Sequence, residues 1–322
     1  MINFLFKLFL ATVYYIFICL ALFLFSSISL INGNIYKNKL INEYQKLFYF
    51  NGYRNIWQYD KKCCELDENL IYRPKNGKCK FKNSEFDTVL NFENSMRIHA
   101  SSYNPKLAPI LILGDSHGMG WGVNDNETFA SIIQDKLNIK VYNQSVSSYG
   151  TFRELKKLQL SNLSSDVNTI IIQYSDNDRN ENIDLIRDHN KIKEKNFSFD
   201  VEPKKLNLEV FFKFFKRSLK IPFQIFFKKN EKSFDEHFIP LKNVLDHFYQ
   251  LLKNKKVIIF YSNSHGLKFH DFELYNSKLN IDNIYLIDLN INEKLYYKVD
   301  DHLTSKGHKY VAEKLIQIIN QK

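Results

Sequence analysis

The chain has no Cys-x-x-Cys spacing, no internal repeat and no block of like charge. The first absence removes paired-cysteine zinc sites. The second leaves no sign of a repeat architecture. The third means that a net charge of +10, from 45 Lys and Arg against 35 Asp and Glu, is spread along the chain. That balance suits anionic lipid or glycan partners, and because no nucleic-acid motif accompanies it, nucleic acid is not expected as a partner. Histidines such as His265 and His308 have no second ligand at useful spacing, so neither a metal nor another cofactor is expected. With 44% apolar and 25% charged residues the composition excludes wholesale disorder. A length of 322 residues accommodates one large domain plus accessories.

One stretch lacks charge altogether. From Leu8 to Asn32, after Lys7, the chain reads FLATVYYIFICLALFLFSSISLIN in its bulk. About 20 apolar residues cross a bilayer, and this run has neither the short apolar core nor the small-residue cleavage site of a removed signal peptide. It reads as a signal anchor over 8–32, with residues 1–7 cytoplasmic and the remainder outside. Lys37 and Lys39 on the far flank pull against that orientation. Cys19 lies in the apolar run, whereas Cys63, Cys64 and Cys79 cluster in a polar stretch. A bridge from one of the adjacent pair to Cys79 would close a loop of about 15 residues, worth about 3 kcal/mol, in a compartment where disulfides persist. Three free thiols are the alternative.

Residues 33–105 show no sustained period and are expected to be a stalk and an irregular lead-in. The main domain is expected over 106–322. Within it, Ile110 to Leu113, Ile139 to Tyr142, Thr169 to Tyr174, Val257 to Tyr261 and Ile284 to Ile287 read as strands. Helical patterns separate them: Thr128 to Leu137, a helix opened by the capping box of Thr151 and Glu154, Leu241 to Leu252, and Gly307 to Ile319. Such alternation predicts an α/β fold with a parallel sheet covered on both faces and ligands at the carboxyl ends of its strands. Residues 188–238 interrupt the pattern with EVFFKFFKRSLKIPFQIFFKK. Two readings stand for residues 207–229: an interfacial helix pair on anionic lipid, or a helical cap packed over the sheet, which the Phe-rich faces favour.

Four clusters carry candidate chemistry. In ILILGDSHGMGWG, residues 110–122, a strand runs into Ser116 at a glycine-flanked turn, the setting an exposed nucleophile needs. In VDDHLTSKGHKY, residues 299–310, His302 with Asp300 or Asp301 supplies a base and the acid that orients it. NQSVSSYGT, residues 143–151, offers the Gly150 amide, with Ser147 and Ser148 beside it, and QYSDND, residues 173–178, offers the Asn177 side chain. Both suit an oxyanion. All four follow the carboxyl end of a predicted strand. Gly114, Ser116 and Gly118 also satisfy the Gly-x-Ser-x-Gly elbow of α/β-hydrolases, but no series of strands is predicted ahead of it.

The order GDSH, a Gly-containing loop, Ser-Asp-Asn-Asp and Asp-x-His-Leu-Thr-x-x-Gly resembles the four blocks of the SGNH/GDSL hydrolase superfamily, over about two thirds of the chain. The resemblance implies a flavodoxin-like three-layer sandwich. It implies Ser116 as nucleophile and first oxyanion donor, Gly150 and Asn177 as further donors, His302 as base and Asp300 as acid, with Asp301 second. Two departures stand out: Ser175 replaces the glycine of the third block, and Val299 occupies the position where the acid more often stands. An esterase acting on short acyl groups, acetyl above all, of cell-envelope glycans is the function implied. A glycan O-acyltransferase using the same triad and a non-catalytic binding protein of the same fold are the alternatives. Oligomeric state is not legible.

Overall fold

The computed structural model describes residues 2–187, 199, 208–227, 234–262 and 272–321. His265 and much of the 188–238 insertion lie outside them. The chain opens with helix α1 (Ile2–Ile31) and helix α2 (Lys39–Phe48), joined to a one-turn π-helix over Tyr49–Tyr53. Strands β1 (Cys64–Asp67) and β2 (Ile71–Pro74) form an antiparallel pair, followed by β3 (Gly77–Lys82), β4 (Asp87–Glu93) and β5 (Met96–Arg97). Next come β6 (Ile110–Gly114), the one-turn α3 (Ser116–Met119), α4 (Phe129–Leu137), β7 (Val141–Asn143), α5 (Thr151–Leu160), β8 (Thr169–Tyr174) and α6 (Asp176–Arg187). Helices α7 (Leu208–Ser218), α8 (Ile221–Phe227), α9 (Asp235–His247) and α10 (Tyr249–Leu252) precede β9 (Lys256–Tyr261), α11 (Phe272–Leu279), β10 (Ile284–Ile287) and α12 (Ser305–Asn320).

Eight strands make one sheet in the order β10-β9-β8-β6-β7-β5-β4-β3. The first five are parallel, and in their own chain order they run 2-1-3-4-5, the doubly wound order of flavodoxin. Alternation along each strand sends side chains to opposite faces. Leu111, Leu113, Ile170, Ile172, Val257 and Ile259 pack under α5 and α9, while Ile110, Ile112, Ile171, Ile258 and Phe260 pack under α4 and α12. Burial on both faces is why these strands are continuous apolar runs. The fold is thus α/β, a mostly parallel sheet between two helical layers.

Two expectations need correction. The region expected as stalk and irregular lead-in is structured: β3, β4 and β5 extend the sheet antiparallel beyond β7. Their alternation is hydrophobic on one face only, and Cys79, Phe81, Leu90 and Phe92 close a core with Trp57 and Trp121. Half-buried strands of mixed composition give a weaker periodic signal than buried parallel ones. In the same region Cys63 and Cys79 form a disulfide with 5.6 Å between Cα atoms, and Cys64 is a buried free thiol. The second correction concerns the Phe-rich segment. Helices α7 and α8 do not cap the sheet; Phe214 and Ile221 are buried against Phe23 of α1 and Tyr44 of α2.

Helix α1 is long and apolar enough to cross a membrane over Asn3–Ile31.

Candidate active site

Strand β6 ends at Gly114, whose φ of +157° lets the chain turn sharply. A Cβ there would stand 2.8 Å from the Gln173 side-chain oxygen. That oxygen accepts the amides of Asp115 and Gly118, and Asp115 caps α3 by accepting the His117 amide at 2.8 Å. The turn is therefore held from two sides, and it presents Ser116, half-buried, at the carboxyl end of the sheet.

The C-terminal loop meets it there. His302 Nε2 lies 2.7 Å from Ser116 Oγ, and His302 Nδ1 lies 2.5 Å from Asp300 Oδ1. Separated by 186 positions in sequence, the hydroxyl and the imidazole form one relay with a fixed tautomer: Nδ1 bears the proton that Asp300 accepts, leaving Nε2 free to take the serine proton. Asp301 is not part of it. Its backbone takes a positive φ of 68° and its carboxylate pairs with Lys46 at 2.8 Å.

Asp300 is the most heavily supported group in the site. Its second oxygen accepts from the Tyr49 hydroxyl and, at 3.4 Å, from Trp121 Nε1, with Arg54 Nε 3.8 Å away. Burial pushes its carboxyl up, but His302, Arg54 and Tyr49 outweigh that and hold it below the usual carboxylate range. Burial and the facing Asp300 charge push the Tyr49 phenol up, so it remains a donor. The loop itself is clamped by Glu85, whose carboxylate accepts the consecutive amides of Lys298, Val299 and Asp300 at 2.6 to 2.8 Å. The His117 ring lies against that of His302, tilted by 31° with centroids 4.6 Å apart.

The oxyanion candidates separate into two groups. The Gly150 amide, expected as a donor, is committed elsewhere: it donates to Glu181 Oε1 at 2.9 Å, because Arg153 draws that carboxylate against the start of α5. Ser148, two residues earlier, has a φ of +62° and is exposed. Its amide and that of Ser116 donate to no acceptor among the described residues. Asn177 is also exposed, and its side-chain oxygen is bonded by Ser175 Oγ, which bonds Asp115 Oδ2 at 2.7 Å as well. Ser175 thus links Asn177 to the turn bearing Ser116.

Beneath the turn lies a buried acidic group. Burial and the Asp178 charge push the Glu154 carboxyl well up, burial and the Asp115 charge push Asp178 well up, and burial pushes Asp115 up. Both Glu154 oxygens and Asp178 Oδ1 lack a hydrogen-bond partner among the described residues. Lys157, buried beside them, is pushed down to about 7 by burial. His308 is structural, accepting the Phe129 amide at 3.2 Å, and burial pushes it down to about 3. No group of three metal-ligating side chains occurs among the described residues.

Tyr49, Arg54, Trp121 and Glu85 were not singled out from sequence. Tyr49, Arg54 and Glu85 come from the region without a sustained period, whereas Trp121, inside the GDSH cluster, stands next to a recognised signal.

No family model matches the chain, and no curated protein matches it. Among solved structures the chain is similar to a psychrotrophic esterase from Pseudoalteromonas sp., at 14% identity over 67% of this chain and 98% of that one, with a TM-score of 0.40. It is similar to an acetylxylan esterase from Geobacillus stearothermophilus at 13% identity, over 70% and 98% of the two chains, with a TM-score of 0.37. A lipolytic protein of the G-D-S-L family from Desulfitobacterium hafniense shares 14% identity over 66% of this chain and 99% of its own, with a TM-score of 0.39.

Proposed function

We propose that the chain is a serine esterase of the SGNH/GDSL type that removes short acyl groups, acetyl above all, from cell-envelope glycans. In this reading α1 is a single-pass anchor and the domain lies outside the membrane. The observation that carries the chemistry is the Ser116–His302–Asp300 relay, with both hydrogen bonds in place and Ser116 half-buried rather than sealed from solvent. His302 takes the Ser116 proton as Oγ attacks the acyl carbonyl. The Ser116 and Ser148 amides and Asn177 stand as donors to the oxyanion, and the alcohol leaves with the proton from His302. Water, deprotonated by His302, then cleaves the acyl-serine and releases the free acid.

The reading deepens at Asp300. A carboxylate that keeps its charge under burial stabilises the imidazolium formed at each step. Ser116→Ala is expected to abolish both p-nitrophenyl acetate hydrolysis and covalent labelling by a fluorophosphonate, since only an activated serine reacts readily. Undiminished activity in that variant would remove Ser116 from the role. With acetyl-labelled glycan, label is expected in free acetate; its appearance on a second glycan would make the chain a transferase.

A further inference from the structure

The reading that α1 spans the bilayer exposes a second feature. Side chains of α1 are unshielded by the domain on nearly every side from Asn3 to Ile18, and burial begins at Cys19. That free length is about 24 Å at 1.5 Å per residue, shorter than the roughly 30 Å hydrocarbon core of a bilayer, so a spanning α1 places part of its covered length in the membrane as well. Helix α7 runs antiparallel beside α1: Phe211 stands against Phe23 with ring centroids 5.9 Å apart, and eight residues later the Leu219 carbonyl meets Tyr15, eight residues back along α1. Tyr15 also contacts Phe223 of α8, at 5.7 Å. The turn between α7 and α8 therefore lies within the unshielded length of α1, below Cys19.

We infer that α7 and α8 form a hairpin embedded, beside α1, in the leaflet nearest the domain, with lipid acyl chains as its partner. Three observations agree. Phe212, Phe223, Phe226 and Phe227 are 62%, 57%, 79% and 78% exposed, an apolar surface continuous through Tyr15 and Phe223 with the bare surface of α1. Backbone groups at the turn are satisfied internally, as hydrocarbon requires: Tyr15 donates to the Leu219 carbonyl at 2.5 Å, the Leu219 amide donates to Phe215, and the Lys220 amide to Arg217. Basic side chains Lys213, Lys216, Arg217 and Lys220 interleave with the rings, the composition of a helix lying at the headgroup boundary with lysines reaching to water. The hairpin ties this boundary to the catalytic centre, because α1 continues upward to Leu30, which packs with Tyr49 and Val299 beside Asp300. The esterase site would then work on esters presented at the membrane surface.

The test uses the full chain in nanodiscs containing lipids brominated along the upper acyl chain. Trp57 and Trp121, the native tryptophans, are buried in the domain and give a constant background. F226W is expected to lose emission to the bromines as strongly as F17W, a position on the bare length of α1. Loss in F17W with none in F226W keeps the anchor and overturns the hairpin's insertion, leaving its aromatic face to a protein partner. No loss in either variant overturns the anchor reading and the hairpin together. Hydrolysis of p-nitrophenyl acetate in the same samples reports the esterase reading separately, since it needs no membrane-bound substrate.

Discussion

Asp300 receives a hydrogen bond from each of three side chains, and the Tyr49 hydroxyl is the one that a single-atom change removes. Tyr49→Phe is expected to lower kcat about tenfold, the scale of one charge-assisted hydrogen bond. KM for a small ester should stay unchanged, because Tyr49 is a positioning residue with no route to substrate. Thermal unfolding of the variant, measured in parallel, separates lost positioning of Asp300 from a change in folded fraction. Asp300→Asn acts on the tautomer itself and is expected to cost on the order of a thousandfold or more in kcat. The kcat values of the two variants, measured in parallel, separate support from relay.

At the scale of elements, the antiparallel strands β3 and β4 do what the parallel strands cannot: their connecting turn carries Glu85 across to the catalytic loop. The Cys63–Cys79 bond ties that hairpin to the segment bearing Tyr49 and Arg54. Cys79→Ser is expected to cost about 3 kcal/mol of stability, read by thermal unfolding, and to lower activity before the fold is lost. The parallel strands, α12 and the meeting of Ser116 with His302 were legible because each leaves a local mark: an unbroken apolar run, one apolar helical face, a glycine-flanked serine. Residues 33–105 left none, since their half-exposed strands alternate with lysines and asparagines and their role is defined by contacts two hundred residues away. The Gly150 assignment failed for a related reason. Which amide in 143–151 stays open is decided by Glu181 on α6, a partner no local pattern reveals.

Over the whole molecule, stability should depend on pH through the buried carboxyls. Glu154 is pushed up by burial and by Asp178, so the folded state retains a proton that the unfolded chain releases. Its contribution is fully present below the ordinary glutamate value of 4.5 and is lost as pH rises toward the folded value. Lys157 acts in the opposite sense only above about 7, but between those values buried His308 also acts in the opposite sense and Asp178 in the same one, so only the difference between the full chain and Glu154→Gln isolates Glu154. As pH rises over that interval the Tm of Glu154→Gln is expected to rise relative to that of the full chain; a constant difference would contradict it. One architectural detail bears on turnover. With three successive amides of its approach held by a single carboxylate, the loop bearing His302 cannot swing open without breaking all three bonds at once. Under the proposed esterase reading, the array would therefore meet each ester already set, with no lid closure needed to assemble it.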